Sequence, residues 1–220
     1  MIEREREKEL AASFYNELKG DSLSIRTTIE NRKRKDAAFT FLKSYFRDSS
    51  MSQCSKDFSI NFFYAFATYS PSIFDPNDAV LDQLKSSGSL RYFKDHDLQE
   101  LTGRLSVAIS RLKSRNEMEW TYVHEIINPF FIKHNDQSWT DRIDRDSSVF
   151  TVVALQQYER SAEQIPFHFQ NTDAFDRTEA VNIMGLYQLT FRGTLRKQYL
   201  DYEVLNAQLL ELLRKEYKLK

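Results

Sequence analysis

Residues 84–100 read LKSSGSLRYFKDHDLQE, and this stretch decides the fold because it contains a helix stop followed directly by a helix start. Gly88, between two serines, is one of only five glycines in the 220-residue chain. Glycine adopts the left-handed backbone of a helix C-terminus at no steric cost. Leu90 and Phe93 follow and are expected to pack back on the helix that ends there. We therefore predict a tight helix–turn–helix corner with a hydrophobic plug.

The helix downstream of this corner is predicted to be long. Asp95 or Asp97 can cap its first turn, because a short acidic side chain accepts hydrogen bonds from the free N–H groups there. Leucine and isoleucine recur every three or four residues from Leu98 to Leu112, which is the spacing of one helix face. Trp120, Val123 and Ile127 continue this face, and we expect the helix to run to about His134. Pro129 is expected to kink or end this helix, since proline has no N–H to donate.

Helical spacing also dominates the two ends of the chain. Apolar residues recur mostly in steps of three, four and seven over residues 10–46, and a second stripe runs through residues 175–217. Between them, the segment FDPNDAVLDQLKSS (74–87) suits a short helix. There we expect Asp75 at the N-cap and Pro76 at the first helical position.

Composition supports an all-helical chain. It has 41% apolar and 29% charged residues, so it can bury a core, but only five glycines and four prolines for turns. We predict an all-α fold: an elongated antiparallel helical bundle with long first and last helices, forming a single domain over residues 1–220. Residues 1–9 alternate Glu and Arg without an apolar stripe and are expected to project as a charged stalk.

The charge balance argues against a polyanionic partner. With 31 basic and 32 acidic residues the net charge is −1, which gives no bulk attraction to nucleic acid or to an anionic membrane. The one basic cluster is NRKRKD, Asn31–Asp36. We interpret it as a solvated helix face, and a cytosolic nucleic-acid-associated factor that uses this cluster is an alternative.

No catalytic residue, metal ligand or cofactor is predicted. HEIIN (124–128) has Asn128 where a zinc protease helix needs its second histidine, and His134 lies beyond a proline. DRIDRDSS (141–148) lacks the glycine and the closing glutamate of a calcium loop. Cys54, the single cysteine, has no basic partner nearby in sequence. These patterns favour a non-enzymatic protein.

The chain is rich in aromatic residues, with 17 Phe and 11 Tyr. Aromatic stripes at helical spacing are typical of a core, but they can also line a cavity for a small ligand. The candidate ligand-binding residues are Phe62, Phe66, Tyr69, Trp120 and His124.

Two stretches, residues 2–25 and 74–105, resemble an uncharacterised bacterial family that is frequent in Bacteroidota. The family has a Phe-x-Pro segment, a Leu-x-x-Ser-Gly-x-Leu corner, and then an aspartate or asparagine before a long helix. The matching positions are Phe74, Pro76, Leu84, Ser87, Gly88, Leu90 and Asp95. The resemblance spans most of residues 1–135 and is looser afterwards.

Members of that family have one transmembrane helix directly before the charged helix, and no established activity. The resemblance implies that this chain is the soluble part of a single-span protein, on the extracytoplasmic face of the bacterial inner membrane. If Met1 is the native start, a cytoplasmic location is expected instead. We therefore expect a non-enzymatic interaction or sensory domain with a protein partner or self-association. A ligand-binding bundle is the alternative.

Overall fold

The computed structural model describes residues 2–67, 72–143 and 152–219. Over these ranges the chain is predominantly helical and contains no β-strand, only an isolated bridge between Cys54 and Phe167. The prediction of an all-α bundle with long first and last helices is confirmed. The α-helices in chain order are α1 Ile2–Asp48, α2 Lys56–Phe66, α3 Ala79–Ser86, α4 His96–Tyr122, α5 Asn128–His134, α6 Gln137–Ile143, α7 Val152–Arg160, α8 Arg177–Thr194 and α9 Leu200–Tyr217.

The chain forms two compact units, whereas the sequence alone suggested one bundle. Unit 1 comprises Met1–Glu30, Ile73–Met118 and Gly193–Lys220. Unit 2 comprises Asn31–Ser72 and Glu119–Arg192. Each unit has its own cluster of buried apolar side chains.

In unit 1, the first part of α1 packs antiparallel to α9. Asn206 Nδ2 donates to the carbonyl oxygen of Leu18 at 3.0 Å, and Tyr217 Oη donates to Glu7 Oε1 at 2.7 Å. Glu7 is buried by this contact. The side chain of Glu7 therefore packs within unit 1, and a projecting stalk over residues 1–9 stays a prediction.

The predicted start of α3 at Asp75 and Pro76 is wrong, because the helix begins at Ala79. Its first turn is capped by a different helix. Glu17 Oε2, on α1, accepts from the N–H of Val80 at 2.9 Å. A carboxylate from α1 thus satisfies a free N–H group in the first turn of α3.

The residues before α3 are fixed by tertiary hydrogen bonds as well. The N–H of Phe74 donates to Tyr199 Oη at 2.9 Å, and Asn116 Nδ2 donates to the carbonyl oxygen of Phe74 at 2.7 Å. Tyr199 Oη donates in turn to Asn116 Oδ1 at 3.1 Å. This closed set of buried bonds holds the segment outside any helix.

At the corner, Gly88 has the left-handed conformation with a φ of 65°. A four-residue 3₁₀ turn follows it and includes Leu90, which is half-buried. Phe93 is fully buried in the core of unit 1. Asp95 Oδ1 accepts from the N–H three residues further on at 2.9 Å and caps α4.

Pro129 does not end the helical path, which continues through Asn128–His134. A π-helical turn, Val123–Ile127, directly precedes it, and the N–H of Asn128 donates to the carbonyl oxygen of Val123. Proline cannot donate to the carbonyl four residues back and its ring collides with that group. A widened turn removes this conflict and lets the helix continue to His134.

Unit 2 is built around aromatic side chains. An irregular segment, residues 161–176, places rings against α1, α2 and α5. The buried aromatic residues of this core are Phe39, Phe46, Phe58, Phe62, Phe63, Tyr64, Phe66, Trp139, Tyr158, Phe167, Phe169, Tyr187 and Phe191.

Candidate functional site

The sequence-predicted ligand residues on α2 lie inside the aromatic core of unit 2. Phe62 and Phe66 are fully buried, with their ring centroids 5.0 Å apart. The ring of Phe131 stacks on Phe62 at 5.6 Å, and that of Phe167 lies 5.5 Å from it. Around these two residues the space is filled by side chains.

The other members of the predicted set lie elsewhere. Trp120 is half-buried and stacks on the ring of His124 at 5.4 Å, and His124 itself is exposed. Tyr69 lies outside the described residues. Ligand binding by the five residues stays a prediction; of the four that are described, the structure pairs Phe62 with Phe66 and Trp120 with His124.

The residues considered for metal binding are also occupied or dispersed. His134 is buried and its Nδ1 contacts the carbonyl oxygen of Gln170 at 2.8 Å. Burial raises the pKa of Cys54 to about 11, which makes its thiol a poor nucleophile at neutral pH. In the described ranges no three His, Cys, Asp or Glu side chains converge as metal ligands. Most of residues 141–148 lie outside those ranges.

The basic cluster at residues 31–36 is turned largely inward, which corrects its interpretation as a solvated face. Arg32 is fully buried and forms a two-pronged ion pair with Glu119, with N···O distances of 3.0 and 2.7 Å. The same guanidinium donates to the carbonyl oxygens of Ser72 at 2.8 Å and Phe191 at 2.9 Å.

Arg34 and Asp36 of this cluster also have partners within unit 2. Arg34 donates to Asn61 and to Glu159 and lies over the ring of Tyr64. Asp36 accepts from Arg192 at 2.7 and 3.0 Å. This stretch therefore does not form a continuous basic patch that could follow a phosphate backbone.

The surface feature with the properties of a binding site is a groove in unit 1 between α4 and the end of the chain. Its cavity volume is about 710 Å³. Val107 on α4 and Val204 on α9 are 51% and 56% exposed. The lining residues are Glu100, Gly103, Arg104, Val107, Ala108, Arg111, Lys197, Gln198, Asp201, Val204 and Leu205.

A second hollow of about 460 Å³ extends this groove along the same two helices. The two share Glu100 and Arg104, so they form one continuous channel. Leu101 and Leu212 continue the apolar lining in this extension. By contrast, Leu84 on α3 is fully buried in the core of unit 1.

Opposite charges lie at the two ends of the channel. Arg111 and Lys197 line one end. Asp97 and Glu211, accompanied by Lys215, line the other. The channel thus combines exposed apolar side chains with a charge polarity along its axis, and Glu100 and Arg104 place one charge of each sign in its middle. Apolar contacts and charges of this kind select and orient an amphipathic helix.

The groove residues were not singled out in the sequence analysis. Val107 and Val204 fall between the apolar repeat positions of α4 and α9, whereas Leu212 lies on the repeat. Single apolar residues outside a repeat are common on protein surfaces and do not by themselves indicate a site. Exposed valines on two neighbouring helices become visible as a site only when the packing of those helices is known.

No helix within the described residues is both long enough and apolar enough to cross a bilayer. Comparison of the chain with models of protein families, with curated proteins and with solved structures finds no match in any of the three.

Proposed function

We propose that this chain is a non-enzymatic interaction domain that binds one amphipathic helix of a partner protein in the groove between α4 and α9. The observation that carries the proposal is the channel with exposed apolar side chains, basic residues at one end and acidic residues at the other. Val107 and Val204 expose more than half of their surface there. Burial of such side chains under a partner helix is favourable.

The charge polarity defines the partner more closely. Its helix carries an acidic end that faces Arg111 and Lys197, and a basic end that faces Asp97 and Glu211. Helices in general favour acidic residues near the N-terminus and basic ones near the C-terminus. A typical partner helix therefore runs parallel to α9, with apolar residues every three or four positions toward Val204.

Site-specific photo-crosslinking tests this proposal. A photoreactive residue at Val204 is expected to capture a partner whose crosslinked peptide has helical apolar spacing. The matched control is Leu23, an apolar residue of the same unit that is 68% exposed on α1 and does not line the groove. Equal capture at the two positions would contradict a groove-specific partner.

Measurements of peptide affinity then test the proposal quantitatively. A synthetic peptide of the captured segment is expected to bind at least about tenfold more weakly to Val204→Asp, because a carboxylate would be buried under the partner helix. Leu23→Asp should leave its Kd unchanged. Reversing the charges with Arg111→Glu and Lys197→Glu should weaken a peptide with an acidic N-terminal half, and no effect would refute the proposed orientation.

The membrane attachment implied by the family resemblance is kept as a separate proposal. Its support is the corner motif around Gly88 and the charged helix that opens the chain. It would be contradicted if the gene has an in-frame stop codon and a ribosome-binding site immediately upstream of Met1. The groove proposal does not depend on this result.

A further inference from the structure

The side chain of Lys35 has no exposed surface, and its Nζ has no hydrogen-bond partner. It lies in unit 2 between α1 and α8. The Nζ atom is 5.7 Å from the ring centroid of Tyr187 and 5.9 Å from that of Phe191. Aromatic faces at this range attract a cation, but less strongly than the water that an ammonium group loses on burial. The two rings therefore do not replace its hydration.

Three elements place titratable or charged groups near this amine. Arg32 lies one turn before it on α1, Glu119 comes from α4 and Tyr187 from α8. Both carboxylate oxygens of Glu119 already accept from Arg32. A protonated Lys35 would therefore give a closed cluster of two cations and one carboxylate.

The closed structure therefore accommodates the neutral amine of Lys35 better than its ammonium form. Loss of solvation lowers the pKa of Lys35 to about 7, with repulsion from Arg32 acting in the same direction and attraction to Glu119 opposing it. The neutral amine is an acceptable neighbour for aromatic rings. The ammonium form can be stabilised only if water reaches it.

We propose that Lys35 is a proton-operated latch in unit 2: the neutral amine lets α8 close over α1, and the ammonium group drives the two helices apart at this point. The inference rests on the complete burial of Lys35, its lack of a polar partner and the cation beside it. It goes beyond the proposed interaction function and is independent of the groove.

The position of the cluster gives the latch a wider effect within unit 2. Arg32 is the second residue of one chain segment of the unit, and Ser72 is its last. Glu119 is the first residue of the other segment, and Phe191 is its second last. The hydrogen bonds of Arg32 therefore join all four chain ends of unit 2. Opening beside Lys35 would loosen that junction.

Hydrogen exchange of the full chain at pH 8.5 and pH 6.5, corrected for intrinsic exchange rates, tests the latch. Amides of α8 around Tyr187 and Phe191 should lose about tenfold in protection at the lower pH, because the open state binds a proton that the closed state excludes. Lys35→Met should abolish this loss. Lys33→Met, two residues away on the exposed side of α1, should keep it.

The proposal is overturned if protection in the wild-type chain does not change with pH, or if Lys35→Met retains the same loss. A second measurement covers the case in which the variant is poorly folded. In the wild-type protein, ¹³Cε NMR of lysine should show one resonance that titrates near pH 7, whereas ordinary lysines titrate near about 10.4. A spectrum in which every lysine has the ordinary value would equally refute the latch.

Discussion

The buried guanidinium of Arg32 is tolerated because strong acceptors surround it. Its two terminal nitrogens reach both oxygens of Glu119 and two backbone carbonyls. Removing two charges from water is costly, and hydrogen bonds of this quality offset much of that cost. What such a pair does not tolerate is the loss of one member.

Glu119→Gln should therefore lower the free energy of unfolding by about 3 kcal/mol, because it leaves the Arg32 cation buried without a counter-charge. Urea denaturation monitored by circular dichroism measures this change. The matched control is Glu203→Gln, which removes a pair with Arg26 that is 3.7 Å long and largely exposed. It should cost about 0.5 kcal/mol or less. Equal effects of the two substitutions would show that Arg32 and Glu119 are not buried together.

A signal for the burial of Arg32 and Lys35 was present in the sequence. The apolar stripe of α1 has a gap between Ile29 and Phe39. Arg32 and Lys35 occupy stripe positions within that gap. Four consecutive cations, residues 32–35, nevertheless predict solvent exposure on average. Which outcome holds depends on a carboxylate 87 residues away, at Glu119, and no local pattern reports that partner.

Among the structural elements, the corner at Gly88 was predictable because its cause is local. A φ of 65° at Gly88 is a backbone state that glycine adopts freely and other residues adopt with strain. The start of α3 was not predictable, because Glu17 caps it from another helix. The same holds for the π-helical turn before Pro129, since proline allows a kink, an end or a widened turn.

Replacing Gly88 by alanine should lower the free energy of unfolding by about 1 kcal/mol, because alanine is strained in the left-handed region. No heavy atom lies within 4 Å of the position a Cβ would take, so the loss would come from the backbone alone. Gly20→Ala is the matched control. Gly20 lies in the middle of α1 with equally open space around it, and alanine there should stabilise the chain by about 0.5–1 kcal/mol. Thermal unfolding of both variants measures the sign of each change in stability. Stabilisation by Gly88→Ala would contradict the left-handed corner.

Over the whole chain, the helical class followed from the scarcity of turn-forming residues and from the apolar spacing. The division into two units did not. It depends on which distant segments meet, for example residues 73–118 with residues 193–220. Helix periodicity reports that a face is apolar and does not report which helix covers it, so the open groove beside Val204 escaped prediction as well.

The central claim is that the most basic stretch of a nearly neutral chain is turned largely inward in unit 2, with Arg32 and Lys35 fully buried. Competitive acetylation of native protein at pH 8, followed by mass spectrometry, tests this claim most directly. Lys33 and Lys35 provide an internal comparison, because one is exposed and the other fully buried.

We expect Lys35 to react at least about tenfold more slowly than Lys33, since reagent reaches it only when the structure opens. The two rates should become similar in concentrated urea. A lysine with a lowered pKa would be the more reactive amine if it were accessible, so slow labelling of Lys35 can only reflect burial. Labelling of Lys35 in native protein as fast as that of Lys33 would contradict the account.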